Sequence, residues 1–400
     1  MPERVTLAFS GGLDTTYCAV WLREQGWRVD ALTVQTGGFD ADELALIERR
    51  AREAGVASFQ VADGRQRLYD EILRTLIAAN ALRGGVYPLC VSAERVVQAA
   101  LVADHARQSG ATAVCHGSTG AGNDQVRFDV ALRALAPQLR ILTPIRDQAL
   151  SREAETAFLA ERGIHIPPRT TRYSVNRGLW GVTIGGGDIH RSDAEIPESA
   201  WCLTAAPESR PAQPEECTIA FDAGAPTSLD GRALGGVTLI EELNERAARH
   251  GFGRGVHVGD TIIGIKGRIA FEAPAPLTLI TAHRELEKLV LSRGQSFWKG
   301  VLGELYAAQV HEARFFDPLT ADLAAFLHSS QRRVTGDVRV RWHQGALQVV
   351  SVRSPFSALG ASSTYGEASQ LWSGEEAAGF AKIYGVGDQL LSAVARRQVE

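Results

Sequence analysis

Residues 8–22 read AFSGGLDTTYCAVWL. An apolar run, Val5–Phe9, leads into this stretch, and an amphipathic run, Thr15–Gln25, leads out of it. Between them stand Ser10, Gly11 and Gly12, then Asp14, Thr15 and Thr16. The pattern predicts a strand, a tight turn and a helix beginning near Asp14. Glycine opens backbone conformations closed to other residues, so successive amides can point into one space. The helix dipole and the hydroxyls of Ser10, Thr15 and Thr16 then favour an anion such as phosphate. A plain glycine turn with a Ser or Asp cap would need none of these extra donors. The stretch is neither G-x-x-x-x-G-K-[ST] nor G-x-G-x-x-G.

Working outward, Trp27–Thr33, Val56–Val61, Ala111–Cys115 and Leu139–Leu142 read as strands. Asp40–Ala54, Arg65–Ala81 and Ser92–Gln108 read as helices, the first opened by a capping box of Asp40 and Glu43. This alternation predicts βαβ units, hence α/β architecture with an N-terminal Rossmann-like parallel sheet covered on both faces. Ligands of such sheets sit at the carboxyl ends of the strands. The texture changes near residue 165, at IHIPPRTTRYSVNRGLWG (164–181). Beyond it, CTIAFDAGAPTSLDG (217–231) and GDVRVRWHQGALQVVSV (336–352) alternate at period two around a turn and predict hairpins. Gly236–His250 and Ala282–Leu291 are helical in pattern, so this half reads as α+β. Glu375–Glu400 reads as one or two terminal helices. Four hundred residues exceed one ordinary core. We therefore expect an N-terminal domain over 1–165, an α+β domain over 166–365 and a helical arm over 366–400.

A net charge of -4 with no dense Lys/Arg run gives no reason to expect nucleic acid or an anionic membrane as partner. The start, MPERVTLAFSGG, has no apolar signal region, and no apolar stretch reaches spanning length. The five cysteines are scattered without a C-x-x-C pair, which suits reduced, mostly buried thiols in a cytoplasmic protein.

A second glycine-rich turn, HGSTGAGNDQVRF (116–128), follows the strand Ala111–Cys115 and so falls at the same edge of the sheet. With a helix starting near Asn123, Asn123 and Arg127 form an i,i+4 pair. That face offers donors and a cation to a carboxylate or a developing oxyanion. The plainer reading is an Asn or Asp N-cap.

SGGLDTT resembles the pyrophosphate-binding loop of the adenine-nucleotide alpha-hydrolases. Taken with GGVYPLCVSAERVV, HGSTGAGNDQVRFDVALRALAP, YSVNRGLWG, IIGIKGR, AFEAPA, VTGDVRVR and SVRSPFSALG, the chain resembles the argininosuccinate synthase family over nearly its whole length. The resemblance implies an AMP-forming carbon–nitrogen ligase: a PP-loop ATP-binding domain, a synthetase and multimerisation domain, and a homotetramer joined through the arm. It implies that the ureido oxygen of citrulline attacks the α-phosphate of ATP, releasing pyrophosphate, and that the amine of aspartate then displaces AMP. The ATP would carry Mg²⁺, with no metal ligands from the chain.

By the same resemblance, Ala8, Phe9, Ser10, Gly11, Gly12, Leu13, Asp14, Thr15 and Thr16 would hold the nucleotide. Val34, Cys115, His116 and Gly117 would close on it. Thr119, Asn123 and Asp124 would hold aspartate. Tyr87, Ser92, Asn123, Arg127, Ser174, Thr183 and Phe271 would line the acceptor pocket. Asp14, Arg95, Asn123 and Arg127 would carry the catalysis, with Arg95 suited to clamp a carboxylate through its planar guanidinium.

The chain also departs from the family's pattern. Ala121 stands in place of a Lys, Asn176 of an Asp, Gly267 of a Ser and Thr183 of a Ser. Gly259 stands in place of an acceptor-binding Glu and Phe271 of a Tyr. A Glu at 259 would pair with the α-ammonium of citrulline. Its loss leads us to expect retained ATP and aspartate chemistry with a changed acceptor: a ureido, amide or carboxyl compound. Two alternatives stand beside this. Asp260 replaces the missing carboxylate by a one-residue shift and citrulline remains the acceptor, or the chain is a catalytically silent nucleotide-binding homologue.

Overall fold

The computed structural model describes residues 2–167, 172–361 and 371–397. Strands β1 (Arg4–Ala8), β2 (Arg28–Gln35), β3 (Ser58–Asp63), β4 (Ala113–Cys115) and β5 (Arg140–Leu142) form one parallel sheet, ordered β3-β2-β1-β4-β5. Helices Leu13–Glu24 and Ala41–Glu53 share one core with β1, and Glu94–Ser109 and Asp124–Leu135 share a second core with β2 and β4. The sheet is thus covered on both faces, which is why β2 is buried from Val29 to Gln35. The strand order reverses between β1 and β4, so a crevice opens at their carboxyl ends. Both glycine-rich turns leave the sheet at that point.

The capping box forms as expected. Asp40 accepts from the Glu43 amide at 2.8 Å and Glu43 from the Asp40 amide at 3.0 Å. The helix expected over Arg65–Ala81 is broken into Arg65–Leu68, a π turn over Tyr69–Leu73, and Arg74–Ala79, ending at Asn80 with φ of 51°.

Past residue 173 the sheets are antiparallel. β6 (Ser174–Gly178) and β7 (Gly181–Gly185) join β11 and β12 below, while β8 (Glu215–Asp222), β9 (Ala225–Leu229) and β10 (Arg232–Ala233) belong to another sheet. β11 (Arg254–Asp260) and β12 (Lys266–Glu272) complete the order β11-β12-β7-β6. β13 (Gly336–His343) and β14 (Ala346–Arg353) complete the order β10-β9-β8-β13-β14. Both expected hairpins are present. Their turn residues, Ala223–Gly224 and Gln344–Gly345, all have positive φ, matching the twist of the flanking strands.

The hairpins β6–β7 and β11–β12 escaped the sequence reading because their strands are glycine-rich and lack a clean apolar alternation. The expected helix Ala282–Leu291 is the end of a longer one, Pro274–Val290. Two further helices, Arg293–His311 and Pro318–Gln331, were not foreseen. The largest core joins Leu68–Val97 to residues beyond 173, with Leu73, Ile77, Tyr306, Val310, Leu327 and Trp342 all buried in it. The segment carrying Tyr87 and Ser92 is thereby fixed beside the second half: the Trp180 indole N–H donates to the Pro88 carbonyl at 2.8 Å.

Helices Gly374–Tyr384 and Val386–Arg397 bury no residue and leave Phe380, Ile383 and Leu391 exposed. Residues 366–370 and 398–400 of the expected arm lie outside the described residues. Among the described residues, no helix is long and apolar enough to cross a membrane. All five cysteines are free; four are buried and Cys202 is exposed.

Candidate functional site

At the end of β1 the turn is built much as its residue types require. Gly11 has φ of 67°, and a Cβ there would stand 3.1 Å from the Ile47 side chain. Its carbonyl accepts from Arg50 Nη1 at 2.8 Å. Gly12 precedes the helix with no side-chain cap, so the first helical amides keep their donors. Thr15 Oγ1 accepts from the Ser10 amide at 3.3 Å and lies 3.2 Å from Ser10 Oγ. The Asp14 carboxylate stands 3.9 Å from Arg152. Beside Asp14 lies Glu155, 1% exposed. Burial and then the Asp14 charge push the Glu155 carboxyl up to about 8.

The second turn packs directly onto the first. A Cβ at Gly117 would meet Thr15 Cγ2 at 3.2 Å and the Thr15 amide nitrogen at 3.3 Å, so any larger residue would have to push Thr15 back by a few tenths of an ångström. His116 Nδ1 accepts from the Ser118 amide at 3.4 Å, and its Nε2 faces Asp129 at 2.9 Å. These bonds fix the ring, which stacks on Phe128. Asn123 stands at the N-cap position but makes no capping bond. Its Oδ1 instead accepts from the Ile262 amide at 3.0 Å, tying the β11–β12 turn across the cleft.

Asp124 is gripped from both sides, by Arg95 Nε at 2.9 Å and Arg127 Nη1 at 3.0 Å. Burial alone would raise its pKa; the two guanidiniums outweigh burial and hold it at about 2. The carboxylate that Arg95 clamps is therefore the protein's own. Arg127, buried, also donates to the His311 carbonyl at 3.2 Å and toward His311 Nδ1 at 3.4 Å. Burial first, then the charges of Arg127 and Arg83, lowers His311 to about 3, so its Nδ1 keeps a lone pair for Arg127.

Tyr87 donates its hydroxyl to the Cys90 carbonyl, and Ser92 donates to the Leu89 carbonyl at 3.1 Å. Tyr87 thus offers its ring face rather than its hydroxyl proton. Between them Leu89 and Val91 hold positive φ of 66° and 65°, which a β-branched residue such as Val rarely adopts. Strain of this kind collects at functional sites.

These parts surround one cleft of about 1140 Å³. Ala8, Phe9, Ser10, Gly12, Leu13, Asp14, Thr15, Val34, His116 and Gly117 line it from the sheet edge. Tyr87, Ser92, Arg95, Thr119, Asn123, Asp124, Arg127, Ser174 and Thr183 line the remainder. Arg50, Arg95, Arg127, Arg152, Arg177 and Arg268 face it against the carboxylates Asp14, Glu43, Asp124 and Asp260. In a chain of net charge -4 this is a local excess of positive charge, suited to an anionic ligand.

Four expected site residues do not line the cleft. Gly11 shapes the turn from behind, against Ile47. Thr16 is fully buried, one helical position past Thr15, with its hydroxyl unpaired. Cys115 is 1% exposed at the end of β4, where the strand side chain points into the core. Phe271 is 1% exposed, its ring seated over Gly255 and 5.3 Å from the Tyr87 ring. Sequence reading also missed Arg50, Glu155, His257 and His311. None lies in a glycine-rich motif, and each reaches the site only through tertiary packing.

The model for the Arginosuccinate synthase N-terminal HUP domain matches residues 4–165, and the model for the Arginosuccinate synthase C-terminal domain matches residues 173–391. The chain belongs to the argininosuccinate synthase family. The argininosuccinate synthase of Xanthomonas campestris is 40% identical over 399 residues, spanning 98% of this chain and 99% of its own length. That of Xylella fastidiosa is 40% identical across 98% of both chains, and that of Thermosynechococcus vestitus 40% across 96% of both. The argininosuccinate synthase family is one of ATP-dependent ligases, and the fold here, a parallel HUP sheet followed by antiparallel sheets and terminal helices, agrees with it.

Asp260, the residue that would replace the family's Glu by a one-residue shift, lines the cleft at the end of β11. Strand β11 alternates, with His257 and Gly259 on the cleft face and Val256 and Val258 exposed on the other. The Asp260 carboxylate pairs with Lys266 at 2.7 Å and is 60% exposed.

Proposed function

We propose that this chain adenylates a carbonyl oxygen of an acceptor and transfers the activated carbon to the amine of L-aspartate, with an acceptor other than citrulline. The observation that carries the reading is the single cleft uniting the Ser10–Thr15 turn, the Thr119–Asp124 turn and the Tyr87–Ser92 segment. In the first step the acceptor oxygen bonds to the α-phosphorus of ATP, the α–β bridging bond breaks and pyrophosphate leaves. In the second the aspartate nitrogen bonds to the activated carbon, the carbon–oxygen bond breaks and AMP leaves with that oxygen.

The helix amides after Gly12, with Ser10 and Thr15, suit the phosphates. Thr119 and Asn123 suit aspartate, and Asp124 suits its ammonium while Arg95 and Arg127 keep it ionised. Catalysis rests on positioning and charge neutralisation. No three His, Cys, Asp or Glu side chains among the described residues converge as metal ligands. An ion carried on phosphate oxygens and water fits this and would offset phosphate charge. The exposed apolar side chains of the terminal helices suit contact between copies of the chain.

The reading is tested with ATP, Mg²⁺, aspartate and a panel of ureido, amide and carboxyl acceptors. Pyrophosphate release should need both aspartate and an acceptor, and ¹⁸O from the acceptor carbonyl should appear in AMP. Pyrophosphate release without that oxygen transfer would refute it.

A further inference from the structure

His257 occupies the end of the cleft where the family's Glu position, Gly259, falls. A Cβ at residue 259 would stand 2.5 Å from His257 Nε2, and a Cβ at Gly84 would stand 3.0 Å from its Cε1. The imidazole lies in the slot that these two glycines leave, stacked on Tyr87 with 5.6 Å between centroids and 17° between planes. Burial first, then the charge of Arg83, lowers its pKa. The ring is neutral near pH 7 and offers one N–H donor and no negative charge.

The carboxylates lining the cleft are committed elsewhere. Asp14 and Glu43 belong to the nucleotide end, Asp124 is held by Arg95 and Arg127, and Asp260, 60% exposed, pairs with Lys266. An ammonium group brought to His257 finds Asp124 and Asp260 already paired with cations, and burial of an unpaired ammonium is costly. Arg127, by contrast, spends three of its five N–H donors on Asp124 and His311 and retains two. Together with the His257 N–H these donors suit a carboxylate.

The geometry points to an acceptor that is an ω-ureido or ω-amido carboxylic acid lacking an α-ammonium group, with His257 as the residue that selects it. This rests on the ligase reading above. The test compares kcat/KM for pyrophosphate release, at saturating ATP and aspartate, across five compounds. These are 5-ureidopentanoic acid with its three- and four-carbon homologues, citrulline, and 4-ureidobutylamine. At least one ureido acid should exceed citrulline by tenfold or more, and 4-ureidobutylamine should be the poorest.

Gly259→Glu should expel His257, supply a carboxylate and shift the ratio at least tenfold toward citrulline. Should that variant fail to fold, His257→Phe keeps the stacking on Tyr87 and removes the N–H. It should lower kcat/KM for the ureido acid about tenfold while leaving the KM for aspartate unchanged. Citrulline preferred by the unaltered chain overturns this inference and the non-citrulline acceptor with it, and leaves ATP-dependent ligation to aspartate intact. No pyrophosphate release with any of the compounds overturns both.

Discussion

Replacing Asn123 by Ala should loosen one defined amide. Asn123 Oδ1 accepts from the Ile262 amide at 3.0 Å. The remaining bonds of the turn are internal: the Thr261 amide donates to the Ile265 carbonyl at 2.8 Å and the Gly264 amide to the Thr261 carbonyl at 3.0 Å. A neutral hydrogen bond of this kind contributes about 1 kcal/mol, with a spread of about 0.5 kcal/mol either way. At about 1.4 kcal/mol per tenfold, its loss speeds exchange of the Ile262 amide about 5-fold, within a range of about 2- to 13-fold. Hydrogen–deuterium exchange with single-residue fragmentation reads this directly. The amides of Thr261 and Gly264 should change less, and Asn123→Asp, which keeps an acceptor, should preserve protection at Ile262. If Asn123 were a helix cap, the amides of Gln125 and Val126 would lose protection instead. That pattern, or unchanged exchange at Ile262, would refute the assignment of Asn123 as the clasp between the second turn and β11–β12.

Gly11→Ala must place an L side chain at φ of 67° with its Cβ 3.1 Å from Ile47, whereas Gly12→Ala has extended backbone and meets Ser10 Oγ at an ordinary 3.5 Å. The first should cost about 1–2 kcal/mol and weaken nucleotide binding by calorimetry; the second should leave stability nearly unchanged, and equal effects would contradict the turn geometry. His311, held to about 3 against an ordinary 6.5, binds fewer protons folded than unfolded. Its stabilising share is therefore full above about pH 6.5 and is lost as the pH falls toward 3, at up to about 1.4 kcal/mol per pH unit. With about 0.8 kcal/mol per kelvin of unfolding entropy for 400 residues, Tm should fall about 1–2 °C per pH unit more steeply than in His311→Gln. Parallel Tm profiles would rule out a neutral buried His311.

The first half of the fold was legible because its signals are local. An apolar run, a glycine pair and a hydroxyl cluster sit within twelve residues at Val5–Thr16, and the Asp40–Glu43 capping box closes on itself within four. The two read hairpins carry their own turn residues, Ala223–Gly224 and Gln344–Gly345. The hairpins β6–β7 and β11–β12 lack such signals, because glycines that clear space for Glu94, Phe271 and His257 replace the apolar alternation.

Sequence alone determined that two glycine-rich turns lie at one edge of a parallel sheet, since strand direction and motif order suffice for that. Only tertiary structure decided that Asp124 is bound by Arg95 and Arg127, that Tyr87 turns its hydroxyl away, and that His257 takes the space of Gly259. Those outcomes draw on contacts distant in the chain, such as Arg95 with Asp124, 29 positions apart, and Tyr87 with His257, 170 positions apart, and no local pattern encodes which side chain reaches a shared space first.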